Sequence, residues 1–283
     1  MFNLSVKNVK GEVLELTGND NYTVYKIEGL TPPKVVVNQS SNTTSDGGSI
    51  NSVRLDSRNI VIYATINGDV EANRIQLYRY FPPKQTVSIS FKNGSRDVYI
   101  EGVVEIIECD LFSNREVAQI SIICPKPYFK AAEKLITSFS DVSSMFEFPF
   151  SIEKAGIPFS EITTNIRKKI INAGDVPTGA IITLFAAAGD VVNPVIYDVL
   201  NQTKMKFNFT MLRSDTIVIN TNVGEKSIVL IRDGVTTNAM GYLAHDSSWL
   251  SLDSGDNIFT YDTEEGGSNL QITFTTQVLY GGV

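Results

Sequence analysis

Few residues in this chain are of the kind that do chemistry, and their spacing keeps them apart. His245 is the only histidine, and there are two cysteines, Cys109 and Cys124. One imidazole with two distant thiols does not make a zinc site. No Gly-x-Ser-x-Gly elbow exists to recruit His245 into a nucleophilic triad. Acid pairs occur at turns: Asp253 with Asp256, and Asp262 with Glu264 and Glu265. Two carboxylates across a cleft can hydrolyse a glycoside. Here, however, Asp253-Ser-Gly-Asp256-Asn257 reads as a loop that solvates its own backbone. As a calcium site the same loop lacks the spaced oxygen series of a known motif. Trp249 is the only tryptophan, and its aromatic face suits the C–H groups of a pyranose, although a lone Trp is more often core. Trp249, Tyr242 and Asp253 are therefore the candidate carbohydrate-binding residues. No catalytic residue, cofactor or metal is expected.

The totals narrow the class further. The chain has 283 residues, 42% hydrophobic and 19% charged, with a net charge of −7. That composition is ordinary for a globular protein with one or two domains. The negative balance argues against a nucleic-acid binder, which needs clustered Lys and Arg on phosphates. The densest basic run, Arg167-Lys168-Lys169, reads as a solvated strand face. Met1-Phe2-Asn3-Leu4 enters a strand pattern at once, without a basic stretch and apolar run, so no signal peptide is expected. No apolar run approaches the ~20 residues that span a bilayer. The expectation is a protein made and folded in a cytoplasm, with no membrane insertion.

The elements that must position these residues are almost all strands. Residues 117–124 alternate, with Ala118, Ile120, Ile122 and Cys124 on one face. The pattern stops at Pro125-Lys-Pro127, which removes backbone donors and holds the chain extended. Pro125 to about Phe150 reads as the seam between two domains, residues 1–135 and 136–283. Before it, strands are predicted over 2–7, 12–16, 22–28, 58–66, 87–91 and 98–108. Gln39 to Ser49, rich in Ser, Asn, Thr and Gly, reads as an exposed loop. Asp69 is a plausible N-cap for one helix, Val70 to Tyr80, with Val70, Leu77, Tyr78 and Phe81 toward a sheet. Asn93-Gly94 supplies the positive φ angles of a tight hairpin. Gly102 marks a bulge or close contact. The hairpin register places Cys109 near Val117 and Cys124 near Gly102, too far apart for a disulfide. The first half is therefore a small closed or partly open β-barrel with a helix on its flank.

The second half reads as many short strands bounded by Gly, Asn or Asp, from Met145–Phe150 through 166–171, 181–185, 195–200, 205–212, 216–221, 226–231, 240–243, 248–250 and 258–261 to 270–278. Such spacing indicates a β-sandwich. The fold class is all-β with one flanking helix: a split-barrel-like N-terminal β-barrel plus a C-terminal galectin-like β-sandwich, the last term implied by the resemblance that follows.

A series of short motifs, in order over nearly the whole chain, resembles the distal tail proteins of tailed bacteriophages of the siphophage type. It comprises Gly29-Leu-Thr-Pro-Pro33, Asp46-Gly47, Arg58-Asn-Ile60, Arg74 to Leu77, Asn93-Gly94 to Gly102, Cys124-Pro-Lys-Pro-Tyr128, Asn172-Ala-Gly-Asp-Val-Pro177, Asn193-Pro194, Gly255-Asp-Asn257 with Tyr261, and Tyr280-Gly-Gly-Val283. The resemblance implies a structural hub at the virion tail tip or baseplate. It implies a self-assembled ring, a homohexamer, made by the first domain with the sandwich outside it. The implied partners are the tail tube protein above, a tail-tip, fibre or tail-associated lysin protein below, and a tape-measure protein. It implies no reaction and no specific nucleic acid. A ring of short-stranded barrels also pairs sheet edges that would otherwise be exposed. The net negative charge suits a conduit for DNA, since like charge keeps the polymer off the wall. The alternative is a carbohydrate-binding module of the tail tip that recognises host cell-wall glycan. A glycosidase is the third reading, with only turn carboxylates to support it.

Overall fold

The computed structural model describes residues 2–41, 46–111, 113, 115–144, 160–164 and 167–283. They divide into two compact units: Met1–Ala132 together with Leu279–Val283, and Glu133–Val278. The second domain does not run to residue 283 as the sequence suggests. The chain returns at Leu279 to the first unit, where Leu279–Tyr280 forms a strand.

The first unit contains β1 (Asn3–Lys7), β2 (Val13–Glu15), β3 (Tyr22–Glu28), β4 (Val35–Ser41), β5 (Gly48–Leu55), β6 (Arg58–Ile66), α1 (Val70–Tyr80), β7 (Thr86–Lys92), β8 (Asp97–Cys109), β9 (Val117–Cys124) and β10 (Phe129–Ala131). Its main sheet runs β2-β1-β7-β8-β9-β6-β3. β2 and β3 end this path and are not paired to each other, so the sheet is open rather than a closed barrel. β10 pairs with β8 and with Leu279–Tyr280. Period-two alternation builds the core. Ala118, Ile120, Ile122 and Cys124 are all fully buried, and they meet Ile60, Ile62, Val98, Ile100 and Val104 from the neighbouring strands.

Two departures from the expected pattern have local causes. A register shift between Val104 and Ile106 turns Ile106 outward and Ile107 inward. Gly102 is instead a close contact: a Cβ there would lie 2.7 Å from both Cys124 Sγ and Ile122 Cγ2. The register sets Cys109 opposite Ala118, and both cysteines are free thiols. α1 is capped by Asp69, whose carboxylate accepts from the Ala72 N–H at 3.2 Å. Leu77 and Phe81 are buried as predicted, but Tyr78 is exposed. At 100° per residue Tyr78 lies roughly 80° round from Val70, on the rim of the buried stripe. Asn73 occupies the stripe instead, with its amide donating to the Asn67 carbonyl at 2.7 Å.

The second unit is a β-sandwich. Its strands are β11 (Leu135–Ser138), β12 (Ser140–Ser144), β13 (Ser160–Thr164), β14 (Arg167–Asn172), β15 (Ala180–Ala186), β16 (Val191–Val192), β17 (Val195–Asp198), β18 (Thr203–Lys206), β19 (Thr210–Met211), β20 (Thr216–Asn220), β21 (Ser227–Arg232), β22 (Val235–Asn238), β23 (Gly255–Asp262) and β24 (Leu270–Thr276). One sheet runs β11-β24-β15-β20-β21-β22 and the other β14-β23-β17-β18. Their inner faces share one core, bridged by the rings of Phe259 and Phe274 at 4.8 Å. Residues 240–242 form a 3-10 turn, not the expected strand, and 248–250 form no strand. β11, β12, β13, β16 and β22 are additions to the expected set. The predicted strand Met145–Phe150 lies outside the described residues. No helix among the described residues is long and apolar enough to cross a membrane.

Candidate functional site

The first unit presents an element with no core beneath it. Among the described residues β4 and β5 pair only with each other, as a two-stranded antiparallel ribbon. At residues 39–41 and 48–49 strand replaces part of the loop expected over Gln39 to Ser49, and residues 42–45 lie outside the described ones. Gln39, Ser40 and Ser41 pair with Ile50, Ser49 and Gly48, and Val35 and Val37 pair with Leu55 and Val53. Residues opposite one another share a face. Val35, Val37, Val53 and Leu55 therefore line one side, and Ile50 joins them because the register shift at Asn38/Gln39 moves it into phase. The other side carries Asn38 bonded to Ser52 at 2.9 Å and Ser40 bonded to Ser49 at 2.9 Å. The ribbon is thus amphipathic, yet Val35, Val37, Ile50 and Val53 are between 45% and 66% exposed. Two strands alone are marginal in water, so an apolar face left uncovered on them calls for a partner.

The ribbon rises from a root tied by hydrogen bonds. Its lower end closes where the Asp56 N–H donates to the Lys34 carbonyl at 3.3 Å. Arg58, the first residue of β6, is 3% exposed. The guanidinium donates to four backbone carbonyls: Nε to Pro127 at 2.7 Å, Nη1 to Thr31 at 2.8 Å and to Gly29, and Nη2 to Gly281 at 2.6 Å. It also lies over the Phe129 ring at 4.5 Å. Burial lowers its pKa below the usual arginine value, while the carbonyls and the aromatic face supply the compensation that a carboxylate otherwise would. Gly29 is required here: its φ is +85°, and a Cβ would collide with the Asn59 carbonyl oxygen. A second cation, Arg96, donates to the Gly282 carbonyl and lies over the Tyr280 ring at 4.4 Å. Four of the sequence motifs therefore converge on one place: Gly29–Pro33, Arg58–Ile60, Cys124–Tyr128 and Tyr280–Val283.

The second unit places the predicted carbohydrate residues with separate partners. Tyr242 is exposed and stacks on Phe209 at 4.3 Å, with the Arg232 guanidinium 5.4 Å from the other ring of that pair. Arg232 in turn grips the buried Asp215 through Nε at 2.9 Å and Nη2 at 2.5 Å. Burial pushes the Asp215 carboxyl up, but the Arg232 and Leu212 donors outweigh it and hold the pKa below the usual value. Trp249 is half-buried against the core beneath Lys226. Asp253 accepts from Asn201 at 3.0 Å. Its loop solvates itself as read: the Asn257 side chain accepts from the Asp253 N–H and donates back to the Asp253 carbonyl, both at 2.8 Å. Asp256 is paired with Lys169. Among the described residues no group of three or more His, Cys, Asp or Glu is placed to hold a metal.

Comparison with known proteins finds a matching domain family and shared folds. Residues 173–277 match the family described as the siphovirus-type tail component, C-terminal domain. The whole chain is similar in fold to the crystal structure of Dit from phage SPP1, described as a paradigm of the hub adsorption apparatus in phages that infect Gram-positive bacteria. The TM-score is 0.66 at 14% identity, over 98% of this chain and 99% of that one. A chain of the phage P2 baseplate, in its activated conformation with Ca, matches with TM-score 0.51 at 12% identity over 98% of each chain. No curated protein sequence matches. The family match makes residues 173–277, within the second unit, similar to the C-terminal domain of siphovirus-type tail components. Over 98% of the chain the shared fold is that of SPP1 Dit.

Proposed function

We propose that this protein is the structural hub of a siphophage-type tail, a ring of identical copies in the virion tail tip or baseplate. In this reading the first unit builds the ring, a homohexamer, and joins the tail tube protein on one side. The tip, fibre, tail-associated lysin or tape-measure proteins engage the other side, and the sandwich stands outside. The chain performs no catalysis in this role. The observation that supports the reading is the β4–β5 ribbon, an amphipathic arm whose apolar face is bare in a single copy; in this reading neighbouring copies cover it. A photo-crosslinking amino acid at Val53 tests it. The expected product is a chain-to-chain adduct that a probe at Val223, exposed on the second unit, does not give. Absence of the Val53 adduct at concentrations where copies associate would count against the ribbon.

A second reading, glycan binding by the sandwich, is favoured by one feature. Tyr242 is an exposed ring stacked on Phe209, and the Arg232 guanidinium lies over that Phe209 ring; a braced aromatic face of this kind is one that a pyranose stacks on. Trp249 and Asp253 remain candidates with it. Retention of the full chain by host cell-wall polysaccharide, lost in Tyr242→Ala, is the expected result. Equal retention of that variant would remove Tyr242 from the site.

A further inference from the structure

Residues 279–283 lie beyond the second unit in the chain, yet they belong to the first unit, where Gly281, Gly282 and Val283 meet the root of the ribbon. Leu279 and Tyr280 pair with Lys130 and Phe129 of β10. The Gly281 carbonyl takes one arm of Arg58, and the Val283 N–H donates to the Leu30 carbonyl at 3.1 Å. Gly282 lies against Leu30 and Pro32 and accepts from Arg96. Leu30 to Pro33 leads directly into β4, and Arg58 directly follows β5 and Asp56-Ser57. The two roots of the ribbon are therefore joined by one guanidinium, and that guanidinium is closed from outside by this short strap.

We infer that residues 279–283 are a strap that fixes the take-off of the β4–β5 ribbon through Arg58, so that a copy becomes competent to assemble only when the strap is seated. The physical basis is a hydrogen-bond count. Without Gly281 the Nη2 donor of a buried cation loses its described acceptor, and the Gly29–Pro33 segment loses the Val283 N–H and the Gly282 contact. A desolvated charge with an unfilled donor is costly. The guanidinium then turns toward water and releases Gly29 and Thr31, its two ties to the first root. A two-stranded ribbon has no core to hold its direction, so its orientation is set by its root alone. The order of the chain gives this a consequence: the strap is made after the second unit, so a copy whose sandwich is not yet synthesised cannot present the ribbon in its assembling direction.

The inference rests on the ribbon being the self-association element, and the test separates the two ideas. Hydrogen exchange is followed in dilute, unassociated full-length protein and in two variants, deletion of residues 279–283 and Arg58→Lys. The second variant keeps the charge, but an ammonium group cannot span four carbonyls from one planar fork. The expected result is exchange about tenfold or more faster over residues 29–41 and 48–57 in both variants, with β15 and β24 unchanged. Self-association is then compared by sedimentation, with Val53→Asp as reference. Loss of association in the strap and Val53 variants alike supports the inference. Unchanged ribbon exchange in both strap variants overturns it, whatever association does. Association lost in Val53→Asp but intact in the strap variants also overturns it and leaves the ribbon reading standing. Association intact in Val53→Asp refutes the ribbon reading, and with it the assembly half of the inference.

Discussion

Replacing Ile50 and Val53 together by Asp separates folding from assembly. In one copy these side chains are 66% and 61% exposed and belong to neither core. Surface changes of this kind alter stability by about 0.5 kcal/mol or less, so the melting temperature should stay where it is. Assembly is a different matter. Full burial of a Val or Ile is worth about 1.5–3 kcal/mol. With some two-thirds of each side chain still bare, covering the pair contributes roughly 2–4 kcal/mol per contact on the same scale. That is roughly 30- to 1,000-fold in a dissociation constant, and two carboxylates buried without partners add to it. In a ring every copy carries the loss, so closure should fail at concentrations where the wild type closes. Sedimentation velocity over a concentration series reads this directly. Ser52→Ala, on the polar side of the same ribbon, should change association little. Wild-type association by the double variant would refute the assignment of the apolar face, and a fall in melting temperature would show that the face is not bare in the single copy.

Three further outcomes follow from the interior. Gly102→Ala should destabilise the first unit by about 2 kcal/mol through overpacking, because Cys124 Sγ, Ile122 and the Ile123 carbonyl all stand within 2.9 Å of the new Cβ; adding Cys124→Ala should not rescue it in urea unfolding, since the carbonyl cannot move. Burial raises the Cys109 thiol and pushes Cys124 up to about 12, so Cys124 should resist iodoacetamide in the native protein and react on unfolding; rapid native labelling would contradict its burial. Asp215 has a folded pKa below its unfolded one. Its contribution is therefore complete above the ordinary carboxylate range and drains away as pH falls through the folded value. Asp215→Asn should lower the stability of the second unit at neutral pH and flatten its acid dependence, and an unchanged acid profile would exclude the Asp215–Arg232 pair as a source of it.

What the sequence reveals and what it hides have physical reasons. Strands such as β9 and β24 declare themselves because a buried face forces strict alternation, as in Ala118-x-Ile120-x-Ile122-x-Cys124. The capped helix and the Asn93-Gly94 hairpin are legible because the conformation demands those residue types. The ribbon reads as a loop because its polar side is Ser and Asn, which turns also favour, and the register shift at Asn38/Gln39 breaks the phase between Ile50 and Val53. Alternation at Val35, Val37, Val53 and Leu55 is the available signal. Arg58 is visible as part of a motif, but its role is not, since its acceptors are carbonyls from Gly29, Thr31, Pro127 and Gly281, positions that only the fold brings together. Counting along the chain puts Tyr78 and Ile106 inward, and a rim position and a bulge turn them out. Of the candidate carbohydrate residues, only Tyr242 presents an exposed, braced ring, and a stack with Phe209 cannot be read from residues so far apart in sequence.

The central claim is that copies of this chain close on one another through the first unit. The most direct measurement is the mass and symmetry of the purified full chain, by light scattering at rising concentration with electron-microscope class averages of the same fractions. The account predicts a single closed species with rotational symmetry and the first units at its centre. A chain that stays a single copy at the highest concentration reached, and does not form a ring when tail tube protein is added, would contradict it.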